Sequence, residues 1–91
     1  MAKRKKEWPP WWEWEVKLID HVYETMEKRD FTEIELRRMM EHASGYRRDN
    51  DVEGRWVIET RFKRQRWEVV VEPIPERKRL EVVTAYPRWE D

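Results

Sequence analysis

Residues 54–87 contain three stretches in which apolar and polar side chains alternate, joined by two short connections. Alternation with a period of two is typical of a strand that has one buried and one exposed face. Residues 63–65 suit a hairpin, and residues 73–78 contain two prolines, which cannot donate ladder hydrogen bonds. The pattern predicts three consecutive antiparallel strands with one buried face, formed by Trp56, Ile58, Thr60 and Phe62, by Trp67, Val69 and Val71, and by Leu80, Val82, Thr84 and Tyr86.

The segment before these strands predicts one further strand and a first helix. Residues 11–18 also alternate, which indicates a half-buried strand. Asp20 is placed to cap a helix over residues 21–28, because aspartate is a favoured N-cap residue. The apolar residues of that helix recur at helical spacing.

A second helix has the clearest start signal in the chain. Thr32 and Glu35 have the spacing of a capping box. Gly45 suits the left-handed residue that ends a helix, and residues 46–54 are predicted to be a polar loop. The order β-α-α-β-β-β therefore predicts an α+β fold in which two helices pack on one face of a four-stranded antiparallel sheet.

Length and composition limit the class of protein. A chain of 91 residues predicts one domain, here residues 11–91, after a disordered basic lead at residues 1–10. The absence of cysteine excludes disulfides and thiolate metal sites, and no apolar run is long enough to span a membrane. We expect a cytoplasmic protein without a metal, a cofactor or a membrane partner. Four of the twenty basic groups lie at residues 3–6, so the rest of the chain is net acidic.

The succession WWEWEVKL, MEKRDFTEIELRRMMEHASGYR, VEGRWVIETR, WEVVVEP and VVTAYP resembles the small bacterial DUF4258 family over about residues 11–87. That family is placed near the RelE-like and barnase/colicin-type ribonuclease toxins, which share a fold of helices plus an antiparallel sheet. The resemblance implies a metal-independent endoribonuclease of a toxin–antitoxin or polymorphic-toxin system. Its substrate would be RNA, and its protein partner would be a cognate antitoxin.

In such enzymes the ribose 2′-hydroxyl attacks the adjacent phosphate, assisted by a base, an acid and cations. His21 is the candidate base or acid because imidazole titrates near neutral pH, and an ordinary surface histidine is the alternative. The resemblance implies that Arg29 binds phosphate, with an ion pair to Glu33 as the alternative. Tyr86 is a candidate donor to a phosphate or a base, and otherwise a core residue.

The predicted hairpin carries a basic cluster. Arg61 is a candidate catalytic cation, and Lys63, Arg64 and Arg66 are candidate RNA-binding residues, because such a run can hold a phosphate backbone. A solvated hairpin tip is the alternative. Two other functions stay open. One is an RNA binder that does not cut, and the other is a non-catalytic interaction module or engineered stable scaffold, which the zero formal charge favours.

Overall fold

The structure, a computed structural model, describes residues 8–88. It is an α+β fold with two helices and one mixed sheet of five strands. The elements in chain order are a 3₁₀-helix Pro10–Glu13, β1 Glu15–Leu18, α1 Asp20–Arg29, α2 Glu33–Glu41, β2 Gly45–Arg48, β3 Trp56–Phe62, β4 Gln65–Ile74, a 3₁₀-turn Pro75–Arg77 and β5 Arg79–Pro87. The strand order is β1-β5-β4-β3-β2. Neither described helix is long and apolar enough to cross a membrane.

The expectation of four antiparallel strands is wrong in strand number and in one direction. The meander of β3, β4 and β5 is confirmed, but β1 runs parallel to β5, with Leu18 beside Val82. The two helices carry the chain from β1 at one edge of the sheet to β2 at the other. Alternation within β1 reports which face is buried and contains no information on the direction of its neighbour, so the parallel pairing was missed.

The fifth strand is β2, which the sequence prediction placed in a helix end and a polar loop. Gly45 is not a left-handed helix cap, because α2 ends at Glu41 and Gly45 pairs with Glu59 as the first residue of β2. A Cβ on Gly45 would lie 3.0 Å from the Glu59 carboxylate, the end of a flexible and half-exposed side chain that can move aside, so this contact does not require glycine. Three of the four residues in β2 are Tyr or Arg, a run too short and polar to show alternation.

The predicted strand at residues 11–18 is shorter than expected. Its first half lies in the 3₁₀-helix, and only Glu15–Leu18 pairs in the sheet. Trp8 stacks on Trp12 with ring centroids 4.5 Å apart, and both belong to an aromatic group at the β2 end of the sheet. Of the predicted disordered lead, residues 1–7 lie outside the described residues.

Of the two predicted helix starts, that of α2 is correct and that of α1 is wrong. Asp20 does not cap α1, because it is the first helical residue and Ile19 is the N-cap without a side-chain bond. The capping box of α2 is confirmed. The Glu35 backbone N–H donates to Thr32 Oγ1 at 3.1 Å, and the Thr32 N–H donates to Glu35 Oε1 at 3.0 Å.

The main core lies between the helices and one face of the sheet. The Thr60 hydroxyl joins the two layers by donating to the Met39 carbonyl of α2 at 2.6 Å. The predicted buried face is confirmed for most of β3 and β4 and for the first half of β5. The core residues are Leu18, Val22, Phe31, Leu36, Met39, Met40, Ile58, Trp67, Val69, Val71, Leu80, Val82 and Ala85.

A β-bulge in β5 reverses the alternation in its second half. Val71 pairs with Val82, but the preceding Val70 pairs with Thr84, so Val83 is an extra residue in the ladder. As a result Ala85, rather than Tyr86, enters the core under the helices. The prediction that Tyr86 shares a face with Leu80 and Val82 is therefore wrong.

The face of the sheet opposite the helices, called the outer face below, has a small apolar centre. Val57, Val70 and Val83 are buried there, and Ile19 and Tyr86 pack against them. Charged side chains surround this centre, as the polar positions of the alternating pattern predict. The outer face therefore combines a narrow apolar strip with a charged periphery.

The turn between β3 and β4 is conformationally unfavourable. Lys63 and Arg64 have φ values of 53° and 65°, the left-handed pair that two-residue hairpins favour and that suits Asn-Gly. A left-handed residue with a side chain costs roughly 1–2 kcal/mol. We therefore expect the double change Lys63→Asn and Arg64→Gly to raise the free energy of unfolding by about 1–2 kcal/mol in urea denaturation.

The control is Lys63→Gln with Arg64→Gln, which removes the same two charges and keeps side chains that disfavour positive φ. This control should show no comparable gain. Equal stabilisation by both double variants would mean that charge repulsion, and not backbone conformation, limits the wild-type turn.

Candidate nucleic-acid interface

The outer face carries a row of three arginines at its hairpin end. Arg61 on β3 lies directly opposite Arg66 on β4. Arg88 follows β5, and its backbone N–H donates to the Arg66 carbonyl at 2.7 Å. Like charges directly opposite each other destabilise a sheet unless counter-charges offset them, so the facing pair of Arg61 and Arg66 carries an electrostatic cost.

A second row crosses the same strands beside the arginines. Glu59 lies opposite Glu68, and Glu68 lies opposite Tyr86. Arg47 reaches this row from the edge strand β2. Its Nε lies 3.8 Å from Glu59 Oε2, and its Nη2 donates to Glu68 Oε2 at 3.0 Å. Arg47 thereby bridges two carboxylates that would otherwise repel each other.

Glu68 is the centre of this network, and its side chain is only 7% exposed. Three donors satisfy it. The Tyr86 hydroxyl donates to Oε1 at 2.8 Å, and Oε2 accepts from Arg47 and from Arg88 Nη1 at 2.9 Å. A buried carboxylate is costly unless it is paired and hydrogen-bonded, and here both conditions are met. Within residues 8–88 no buried side-chain nitrogen or oxygen lacks a partner.

These rows surround a hollow of about 340 Å³. Its charged lining consists of four arginines and two glutamates, a net excess of two positive charges. Arg47, Arg61, Arg66 and Arg88 are called the arginine cluster below. Lys63 and Arg64 stand on the adjoining turn and are exposed. A concave site with excess guanidinium groups favours phosphate or another oxyanion.

Tyr86 is held in its protonated form by the site. Burial, the largest cause, and the hydrogen bond to Glu68 together raise the pKa of Tyr86 from its ordinary 10.0 to about 12. The charge of Glu68 adds to the effect, whereas nearby Arg47 opposes it. The phenol therefore remains a hydrogen-bond donor to Glu68 across the neutral range.

The structure brings some of the predicted site residues together. Arg61 and Arg66 face each other, and Tyr86 lies in the neighbouring row through Glu68. Among the described contacts, Arg61 makes no hydrogen bond or ion pair, so its guanidinium is available to a ligand. Lys63 and Arg64 lie on the turn that joins the two strands of this row.

His21 belongs to a different hollow. Its side chain is 63% exposed and 4.0 Å from the carboxylate of Glu24. Glu81 lines the same hollow and pairs with Glu72 on β4. Six residues of strand separate Glu72 from Arg66, a distance of about 20 Å. The structure therefore does not place His21 beside the arginine cluster.

Arg29 is also apart from the cluster. It is the exposed last residue of α1, on the helix side of the sheet. The alternative partner considered for it, Glu33, instead accepts from Arg37 Nη2 at 2.9 Å. The two predicted catalytic residues on helices are thus separated from those on strands.

Sequence reasoning missed Arg47, Arg88 and the central role of Glu68. Arg47 was assigned to a loop, and Arg88 lies just after the last predicted strand. Glu68 occupies a polar position in the alternating pattern of residues 54–87, which predicts an exposed charge and no central role. No local signal distinguishes Glu68, because Glu81 likewise stands between two core residues of one strand and is 25% exposed rather than 7%.

Among residues 8–88 no group of three or more His, Asp or Glu side chains is arranged to hold a metal ion. Comparison of the chain with protein-family models, with curated proteins and with solved structures gives no match. The chemical reading of the site therefore depends on its geometry.

The raised pKa of Tyr86 has a consequence at alkaline pH. The stability that the protonated phenol contributes is fully present below pH 10 and is lost as the pH rises through about 12. We expect the unfolding free energy of the wild type to fall by about 1 kcal/mol more than that of Tyr86→Phe over this range, since solvent screens a partly exposed ring. Urea denaturation at a series of pH values measures the difference.

Tyr23→Phe is the matched control, because it removes the same hydroxyl from an exposed position on α1. This variant should follow the wild-type pH dependence. A Tyr86→Phe protein that loses stability as steeply as the wild type would show that burial and the bond to Glu68 do not raise the Tyr86 pKa in the folded protein.

Proposed function

We propose that the arginine cluster binds the phosphate backbone of RNA, and that the chain is a metal-independent endoribonuclease of the toxin type. The observation that carries the proposal is the row of Arg61, Arg66 and Arg88 beside paired carboxylates on one sheet face. Arg88 is already paired with Glu68, whereas the neighbouring Arg61 makes none of the described ion pairs, so a phosphate chain would add a counter-charge where the row still has an excess of cations.

The residues of the adjoining turn support the same proposal. Lys63 and Arg64 occupy left-handed positions that Asn and Gly fill at lower cost. Backbone strain of this kind clusters at functional sites, where another requirement outweighs local stability. Two extra cations next to the arginine cluster would lengthen the path available to an RNA strand.

For cleavage, Glu59 is the available proton acceptor. Its side chain is 49% exposed in the hollow, whereas Glu68 is buried beneath the arginines. In the proposed reaction Glu59 takes the proton of the ribose 2′-hydroxyl as the 2′-oxygen attacks phosphorus. The bond to the 5′-oxygen breaks, a 2′,3′-cyclic phosphate forms, and water protonates the leaving oxygen. Arg61 and its neighbours would stabilise the charge that develops on the phosphate.

The wider setting rests on the resemblance of the sequence to toxin families. In that setting the chain acts in the bacterial cytoplasm and is restrained by a cognate antitoxin. An antitoxin with an acidic surface would fit the arginine cluster by charge. His21 and Arg29, which the resemblance also implies, would then act outside this hollow, for example as contacts to a longer RNA.

A second candidate is a non-catalytic interaction module or engineered stable scaffold. The outer face satisfies many of its own charges, which is the observation that favours it. Besides the Glu68 network, Arg55 Nε lies 3.4 Å from Glu72 Oε1 and Arg79 Nη1 lies 3.6 Å from Glu81 Oε2. A face with this degree of internal pairing needs no ligand to be stable.

Incubation of the pure protein with total RNA in EDTA tests the proposal. We expect cleavage by the wild type, a loss of at least about tenfold in Arg61→Ala, and a larger loss in Glu59→Gln. Arg77→Ala is the matched control, since it removes an exposed arginine from the turn before β5, away from the hollow. His21→Ala should also retain activity.

RNA that stays intact at high protein concentration would contradict the nuclease proposal. If the protein still binds RNA under those conditions, with an affinity that falls steeply with salt, the chain is an RNA binder that does not cut. If it neither binds nor cuts, the scaffold reading is favoured. Loss of activity only in His21→Ala would indicate that cleavage takes place in the hollow that His21 lines and not at the arginine cluster.

A further inference from the structure

We propose that Arg47 and Arg88 form a clamp for a single phosphate group, and that Glu68 is the residue that positions them. The inference rests on the proposed binding of RNA and names a subsite within it. Neither arginine belongs to the hairpin cluster that the sequence indicates. Both lie on the outer face and approach Glu68 of β4 from different strands, Arg47 from the edge strand β2 and Arg88 from the end of β5.

The two guanidinium groups converge on one atom. Arg47 Nη2 and Arg88 Nη1 both donate to Glu68 Oε2, at 3.0 and 2.9 Å. Two donors that share an acceptor at these distances lie no more than about 6 Å apart. Each guanidinium has five N–H donors, so most donors of both groups remain for a ligand. Two such groups side by side match the several oxygens of one phosphate.

The carboxylate of Glu68 is buried, whereas the two arginines that donate to it are partly exposed to solvent. The Glu68 side chain is 7% exposed, whereas those of Arg47 and Arg88 are 43% and 55% exposed. A phosphate can therefore approach the arginines from solvent without displacing Glu68. Because Glu68 already holds both arginine side chains in place, the arginines lose less conformational entropy when the ligand binds.

Tyr86 completes the support. Its hydroxyl donates to Glu68 Oε1 and leaves Oε2 to the two arginines. The carboxylate is thus fixed on one side and presents one oxygen to the clamp. This arrangement, in which a residue that does not touch the ligand orients those that do, is how binding sites gain precision.

Binding is measured by fluorescence anisotropy with a labelled 2′-O-methyl oligouridylate in EDTA, a probe that cannot be cleaved by attack of the 2′-hydroxyl. We expect Arg47→Ala and Arg88→Ala each to weaken binding by about tenfold, the loss of one charge-assisted contact. Arg77→Ala should bind as the wild type does. Arg61→Ala reports the hairpin contacts independently of the clamp.

For the Glu68→Gln variant, an electrostatic explanation and a positioning explanation predict opposite changes in the affinity for RNA. The change removes a negative charge from a site for an anion, so general electrostatics predicts tighter binding. Positioning predicts weaker binding by about threefold to tenfold, because both arginines lose their charge-assisted anchor. Glu72→Gln, which removes a carboxylate from the same strand further from the hairpin, is the matched control and should not weaken binding.

The effect of Arg88→Ala should also be smaller in the Glu68→Gln background than in the wild type, which a double-mutant cycle measures. If Glu68→Gln fails to fold by far-UV circular dichroism, Tyr86→Phe replaces it. That variant keeps every charge and frees the carboxylate on one side, so positioning predicts a smaller but measurable loss of affinity.

Oligomers with and without a 5′-phosphate, and inorganic phosphate as a competitor, identify the source of the bound group. A gain from the 5′-phosphate that Arg47→Ala abolishes would place a terminal phosphate in the clamp. Equal binding of both oligomers, with sensitivity to both arginines, would place a backbone phosphodiester there. Either result supports the clamp.

Different results would contradict the proposed function, the clamp and the positioning role of Glu68. No binding of any RNA by the wild type would overturn the proposed function together with the clamp. Binding that requires Arg61 but tolerates both Arg47→Ala and Arg88→Ala would overturn the clamp alone. Unchanged or tighter binding by folded Glu68→Gln would overturn the positioning role of Glu68, as would unchanged binding by Tyr86→Phe if that variant is used.

Discussion

The extra residue at Val83 decides which side chains of β5 reach the outer face. Without this bulge, strict alternation from Leu80 and Val82 would direct Tyr86 and Arg88 toward the helices. With it, Ala85 fills the core and Tyr86 and Arg88 meet Glu68 on the other side. The candidate site is therefore a consequence of one irregularity in the ladder, since two of the three donors to Glu68 come from beyond it.

The second constraint is the cost of burying Glu68. A carboxylate that is nearly excluded from water must be compensated by strong hydrogen bonds, and removal of one partner leaves a costly charge. Three donors from two parts of the chain supply this compensation: Arg47 on β2, and Tyr86 and Arg88 at the end of β5. The network thus connects the edge strand β2 with β4 and β5. It also assembles cations that phosphate recognition would use.

Much of the fold was predictable because its periodicity is strong. The alternation of β3 and β4 identifies Ile58, Trp67 and Val69 as core, and the Thr32–Glu35 capping box fixes the start of α2. These features are local, so a few neighbouring residues determine them. The features that were missed are non-local. The parallel pairing of β1, the pairing of β2 through Gly45 and the bulge at Val83 depend on which strands become neighbours.

The difference between local and non-local features also explains which residues of the candidate site were predicted from the sequence. The hairpin cations were visible in the sequence because Arg61 and Arg66 flank a short turn. Arg47, Glu68 and Arg88 are far apart in the chain, and their contact requires both the added strand and the bulge. A catalytic role for His21 followed from the chemistry of imidazole and from resemblance, neither of which reports that His21 lines a different hollow from the arginines.

Cross-strand nuclear Overhauser effects between β4 and β5 test the central claim most directly, because they report the register on each side of Val83. The bulge predicts contacts of Glu68 with Tyr86 and of Val69 with Ala85. A ladder without the bulge would instead bring Trp67 opposite Tyr86 and Glu68 opposite Ala85. The second pattern would place Tyr86 under the helices, remove its bond to Glu68 and contradict the account of the site.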